Sequence, residues 1–173
     1  MLTILTSEQA ENYDFYQKNL SNFQTVMKDT NNNLITADEW DYNCMSYALG
    51  IYDSWLNLES FSQSFSCDSI TIDYEHMEDV FYDCCSELEE VYAARRISGP
   101  EVQLEESERI IAFRVSADDF HFVRQNSDGT WTHKPGCEYI REMSEEELFS
   151  EAWSEEIRVY PYISTIAFFA VRI

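Results

Sequence analysis

Thiols and imidazoles are the side chains best suited to covalent and proton-transfer chemistry near neutral pH, and this sequence has few of them. A thiol becomes a nucleophile when it is held as thiolate, and a helix N-terminus with a nearby imidazole lowers its pKa from ~8.5 by several units. Cys44 falls in the first turn of a short helix expected over residues 41–49 and closed by Gly50. A general base must come from elsewhere in the chain, and the only histidines are His76, His121 and His133. His121 lies in the β-rich stretch FHFVR, where its side chain projects opposite to Phe120 and Phe122. His133 follows twelve residues later, beyond the turn Asn126, Ser127, Asp128, Gly129, which places the two imidazoles on neighbouring strands. There His133 can orient the ring of His121 as the third member of a Cys, His, polar-residue triad. The competing reading of Cys44 is a small buried core residue.

The elements that must position these groups follow from periodicity. Thr6 and Gln9 form a capping box for a first helix whose stripe Tyr13, Tyr16, Leu20, Phe23, Met27 alternates steps of three and four, ended by Thr30 and three asparagines. After the helix that carries Cys44, a serine-rich loop over residues 58–69 leads to a helix of about 20 residues. Met77, Phe81, Cys84, Leu88 and Val91 lie on one of its faces and Glu75, Asp79, Asp83, Glu87 and Glu90 on the opposite one. Beyond Ser98, Gly99 and Pro100 the pattern becomes β: strands over 109–115, 120–124 and 130–133, the last two joined as a hairpin. Ser144 and Glu147 form a second capping box for a short acidic helix to about residue 156, and the tail 157–173 supplies one or two strands broken near Pro161. Helices first and an antiparallel sheet after them predict a single α+β domain over 1–173, with N-terminal helices packed on the sheet.

At these residues the sequence resembles a known family. Asn43, Cys44, Met45, Ser46, Tyr47, Ala48, Leu49, Gly50 followed by strand-borne His121 and then His133 is similar to the papain-like cysteine peptidases, especially the bacterial cell-wall endopeptidase branch, in which a Cys, His, His order is common. The pairing of NCMSYALG with DDFHFVRQNSDGTWTHKPG also resembles small bacterial proteins of that fold, and the likeness covers roughly residues 38–136. It implies a papain-like fold with Cys44 as nucleophile, His121 as base and His133 as orienter. The main-chain N–H of Cys44 and the side chain of Asn43 or Tyr42 are then the oxyanion-hole candidates. The sequence departs from the secreted members of that branch in lacking a signal or wall-binding segment, so the implied activity is a thiol hydrolase or amidase with no substrate assigned.

The remaining cysteines carry less. Cys44, Cys67, Cys84, Cys85 and Cys137 are odd in number and show no CxxC pair, which fits free thiols in a reducing cytoplasm and predicts no metal and no cofactor. Cys84 and Cys85 read as helix core, and His76, flanked by acids, as a solvated helix residue.

Charge gives a second reading. The 173 residues hold 33 Asp plus Glu against 11 Lys plus Arg, a formal net charge of −22, yet 45% of them are hydrophobic, enough to bury a core. No basic residue occurs between Lys28 and Arg95, a window with 15 acidic ones. Such a chain is not expected to grip nucleic acid or an anionic membrane, and no stretch approaches the ~20 apolar residues of a membrane span. Its natural partner is a basic protein. Acids along one helix face are spaced on the same order as the charges of a nucleic-acid strand, so the domain could occupy a cationic groove by competition. In composition it resembles phage-encoded inhibitors of restriction or CRISPR nucleases. The suspect surfaces are the 73–90 helix face with Glu75, Asp79, Asp83, Glu87 and Glu90, the run with Glu105 and Glu106, and the segment with Glu145 and Glu146.

Overall fold

The computed structural model describes residues 3–4, 24–28, 34–38, 42–65, 71–136, 140–155 and 158–172. Strands β1 (Thr3–Ile4), β2 (Gln24–Lys28) and β3 (Leu34–Asp38) make a small antiparallel sheet in the order β1-β3-β2, with Met27 opposite Ile35. Met27 therefore ends no helix. Val26 and Thr25 before the asparagine run, and Ile35 and Thr36 after it, are β-branched and favour a hairpin over a helix that the spacing of Met27 alone suggests. The other positions of that stripe, Tyr13, Tyr16, Leu20 and Phe23, with the capping pair Thr6 and Gln9, lie outside the described residues.

Helix α1 (Cys44–Ala48), buried along its whole length, is followed by α2 (Glu59–Gln63) and α3 (Tyr74–Val91). The α2 turn falls where a serine-rich loop is expected. The Glu87 carboxylate of α3 caps it, accepting from the main-chain N–H of Glu59 at 2.9 Å and of Ser60 at 2.8 Å. Helix α3 buries Met77, Phe81, Cys84 and Leu88 as its spacing predicts and adds Val80 and Cys85, whereas Val91 in its last turn is exposed.

The second sheet has six strands, all pairs antiparallel, in the order β4 (Arg95–Ile97), β9 (Ala167–Arg172), β5 (Glu108–Val115), β6 (Phe120–Gln125), β7 (Trp131–His133), β8 (Arg141–Met143). The fold is thus α+β. Alternation sorts β5 and β6 onto two faces. Ile111, Phe113, Val115, Phe120 and Phe122 join Cys44, Met45, Phe61, Phe81 and Leu88 in one core, beneath the helices. Ile110, Ala112 and Val123 face the other way, into a core with Trp131, Leu148, Trp153, Tyr162 and Phe168. Burial on both faces explains why β5 reads as an almost continuous apolar run.

Helix α4 (Glu145–Leu148) has the capping box of Ser144 and Glu147, with the Ser144 N–H donating to Glu147 Oε2 at 2.8 Å. It stops at Phe149, well short of residue 156, because the chain turns there to lie across the sheet. Arg114 holds it in place. That buried guanidinium donates to the carbonyls of Ser164 (3.0 Å), Ser150 (3.0 Å) and Glu151 (3.1 Å), and lies 5.3 Å over the Trp153 ring. A single bridge between Trp153 and Tyr162 closes the crossing loop, and the tail contributes one strand, β9. Among the described residues no helix is long and apolar enough to cross a membrane.

Candidate functional site

Cys44 is the first residue of α1 and Asn43 is its N-cap, accepting from the Ser46 N–H at 3.0 Å and the Ser46 hydroxyl at 2.8 Å. The Asn43 amide meanwhile donates to the Leu56 carbonyl, so its donor is engaged in the fold. Tyr42 is fully buried in a cluster with Tyr47 and Tyr52, its ring 5.7 Å from Tyr52 and 4.7 Å from the Lys134 ammonium. The Asn43 side chain therefore serves as a capping group, and the Tyr42 ring as part of the packing beneath the helix.

The helix is fixed on the sheet by Arg124, three residues along β6 from His121. Its guanidinium donates to the Tyr47 carbonyl (3.2 Å), the Tyr47 hydroxyl (3.0 Å) and the Tyr52 hydroxyl (2.8 Å), and stacks 4.1 Å over the Tyr47 ring. Tyr47 in turn bonds Thr132 of β7 at 2.8 Å. One buried cation thus ties the helix of Cys44 to the strands of both histidines.

On β6 and β7 the two imidazoles meet as the hairpin geometry requires. Val123 pairs with His133, so His121 lies diagonally across from it, and His121 Nε2 is 2.8 Å from His133 Nδ1 with the rings nearly perpendicular. The expected third contact differs. The Cys44 thiol donates to the Phe120 carbonyl at 3.7 Å, and among the described residues no hydrogen bond joins it to His121. The other nitrogen of His121, Nδ1, instead lies 3.4 Å from Glu155 Oε1. His121 is held between Tyr162 (centroids 5.2 Å, 30°) and Trp153 (6.3 Å, 85°).

Burial dominates the electrostatics. It pushes the Cys44 thiol up to about 12, with the Asp119 and Glu155 carboxylates adding to the effect and the Phe122 and Met45 N–H groups opposing it. Desolvation holds His121 well below its ordinary value, helped by His133 and Arg158, and lowers His133 to about 4, helped by Arg141. The thiol and both imidazoles are therefore neutral at rest. Asp119 binds it to the covering loop, accepting from the Tyr162 hydroxyl at 3.0 Å and pairing with Arg158 at 2.6 Å.

Asp119 lies in the stretch that resembles the family motif, but Glu155, Arg158, Tyr162 and Arg114 have no signal in the sequence that links them to Cys44. They arrive from two segments, 114–119 and 155–162, and Glu155 reads there as one more acid in a helix. His121, His133 and Glu155 offer one donor atom each within 4.8 Å, a set able to hold a metal ion. The 2.8 Å contact between the imidazoles is the length of a direct hydrogen bond, shorter than the ~3.4 Å edge of a tetrahedral zinc site with bonds of ~2.1 Å.

The suspected acidic residues do not form one surface. Asp79, Asp83, Glu87 and Glu90 line a groove of about 840 Å³ between α2 and α3, with Glu59 on the far wall. Glu75 is exposed on the same helix, but Glu87 is occupied in capping α2. Glu105 pairs with Arg172 at 2.8 Å beside exposed Glu106, and Glu145 and Glu146 belong to α4, whose Leu148 packs on the opposite face of the sheet.

Residues 33–160 match the model of a family described as a domain of unknown function, DUF7689. The chain belongs to that family. The matched span includes Cys44, Asp119, His121, His133, Glu155 and Arg158, whereas Tyr162 and β9 follow it. No curated protein and no solved structure matches the chain.

Proposed function

We propose that this protein is a papain-like thiol hydrolase or amidase, with Cys44 as nucleophile, His121 as base and His133 as orienter. The observation that carries the reading is the 2.8 Å bond between His121 and His133, made on the strand against which the cysteine-bearing helix end is packed. That arrangement supplies an oriented imidazole and, at the Cys44 N–H, one donor for a developing oxyanion. The nucleophile forms when the thiol passes its proton to His121, and a substrate carbonyl carbon then receives the sulfur. The free thiols Cys44, Cys84 and Cys85 support a reducing, cytoplasmic setting. The test is labelling by a thiol-directed electrophile such as a peptidyl epoxide, mapped by mass spectrometry, alongside turnover of a dipeptide-amide library. Labelling at Cys44 that is lost in His121→Gln supports the reading. Activity that persists in full in Cys44→Ala sinks it.

The groove between α2 and α3 favours a second reading, in which the domain binds a basic protein as a nucleic-acid mimic, in the manner of an anti-restriction or anti-CRISPR inhibitor. Five carboxylates around one cleft would attract Lys and Arg that otherwise meet phosphates. Such binding weakens with salt and with Asp79→Lys, Asp83→Lys and Glu90→Lys combined; binding indifferent to both removes this reading.

A further inference from the structure

The contacts of His121 carry one step more, which rests on the thiol-hydrolase reading. Glu155, His121 and His133 form a chain: Oε1 to Nδ1 at 3.4 Å, then Nε2 to Nδ1 at 2.8 Å. A neutral imidazole has one N–H to give. Burial keeps both imidazoles neutral at physiological pH, and the Tyr162 and Trp153 rings fix the plane of His121, so the two directions in which its nitrogens point are set. With the proton on Nε2, the bare Nδ1 lone pair faces a carboxylate oxygen in a buried site, and the contact is repulsive. With the proton on Nδ1, that N–H lies next to the carboxylate oxygen at 3.4 Å, an electrostatic contact rather than a hydrogen bond, and Nε2 accepts from the Nδ1–H of His133. Both contacts are then attractive.

We propose that Glu155 is a positioning residue that holds His121 in the Nδ1–H tautomer, and that His121 becomes a base for Cys44 only when Glu155 gives up this contact. The proton count balances. When Glu155 withdraws, the Nδ1 proton of His121 goes to water, the proton shared by the imidazoles moves from His133 Nδ1 to His121 Nε2, and His133 takes a proton from water at Nε2. The pair still holds two protons. Nδ1 is now free, and transfer of the Cys44 thiol proton to it leaves a thiolate beside an imidazolium, whose charge the hydrogen bond to His133 helps to carry. In the resting site Glu155 acts on both partners, since its charge also disfavours the Cys44 thiolate.

Long-range ¹H–¹⁵N correlation of the imidazoles reads the tautomer directly, and alkylation of Cys44 at pH 7.5, followed by peptide mass spectrometry, reads the consequence. The wild-type protein is expected to show His121 protonated at Nδ1. In Glu155→Ala the proton moves to Nε2 and Cys44 alkylation rises at least ~10-fold, a factor that corresponds to one pKa unit. Glu155→Gln keeps the shape of the side chain and gives a smaller rise, so a misfolded alanine variant does not end the test. An Nε2–H tautomer in the wild type overturns the proposal, as does an unchanged tautomer in both variants. Adding His121→Gln to Glu155→Ala separates the two readings. If the tautomer shifts in Glu155→Ala but the alkylation rate is the same with and without His121, the tautomer assignment stands and the thiol-hydrolase reading fails.

Discussion

Cys44 in the folded protein is expected to resist alkylation far more strongly than an ordinary thiol, with a rate that climbs tenfold per pH unit without levelling off. Its pKa, raised from 9.0 to about 12, leaves on the order of a thousand-fold less thiolate at any pH below 9. Those three pKa units correspond to about 4 kcal/mol of extra cost for ionising the thiol in place. Iodoacetamide labelling between pH 6.5 and 10.5, with the Cys44 peptide quantified by mass spectrometry, measures this, and the same protein in guanidinium supplies the unfolded reference. The stability dependence has the matching sign. A group whose folded pKa is raised stabilises the fold fully below its unfolded pKa and loses that contribution as pH rises toward the folded one. Wild-type unfolding free energy should therefore fall between about pH 9 and 12, and Cys44→Ala should remove that part of the slope. A labelling plateau at or below pH 7, or a folded rate within tenfold of the unfolded one, would refute the reasoning, because it would mean that a thiolate and imidazolium pair already exists at rest.

Four further outcomes follow from other contacts. His133, lowered to about 4 from 6.5, contributes stability that is complete above pH 6.5 and lost as pH falls through about 4; His133→Gln should flatten the acid limb of a urea-unfolding series by up to about 3 kcal/mol. Arg114→Met strands the buried Ser164 carbonyl and the partly buried carbonyls of Ser150 and Glu151, and should cost about 3 kcal/mol by chemical denaturation, with faster proteolysis near residue 155. Arg124→Met removes the donor shared by Tyr47 and Tyr52, and should cost a similar amount while loosening amide-exchange protection in α1 ahead of β5. Glu87→Ala uncaps α2 and should cost about 1 kcal/mol by thermal melting, so that charge-reversal tests of partner binding are better made at Asp79, Asp83 and Glu90.

Local chemistry made parts of this fold legible before any coordinates. The Ser144 and Glu147 capping box and the turn after Asn126 each depend on residues within a few positions of one another, and each forms as its pattern predicts. The His121 and His133 contact was legible for the same reason, since a hairpin turn sets its register. Glu155 was not, because its position depends on the path of a loop that Arg114 pins from another strand, and no periodicity encodes that. Met27, the last position of the first stripe, misled in the opposite way: its spacing matched a helix, while the β-branched residues on both sides of the asparagines favoured paired strands.

The distribution of charge bears on the acidic reading more than its total does. Arg114, Arg124 and Lys134 are buried, and they donate to carbonyls and phenol oxygens of the fold: three carbonyls for Arg114, one carbonyl and two hydroxyls for Arg124, the Gly136 carbonyl for Lys134. Three of the 11 basic residues are thus withdrawn from the surface, while Asp79, Asp83 and Glu90 stand exposed along the groove. The field that a partner meets is more negative than the formal balance suggests. That field also belongs to a different part of the molecule from the imidazole pair. The groove lies among the helices on one face of the large sheet, and His121 projects from β6 toward Trp153 and Tyr162 on the other. The carboxylates that raise the Cys44 pKa are Asp119 and Glu155, neither of which lines the groove, so charge reversal there should leave the alkylation rate of Cys44 within about twofold at 0.15 M salt. A larger change would show that the two surfaces are coupled, and that a partner bound at the groove could alter the state of the thiol.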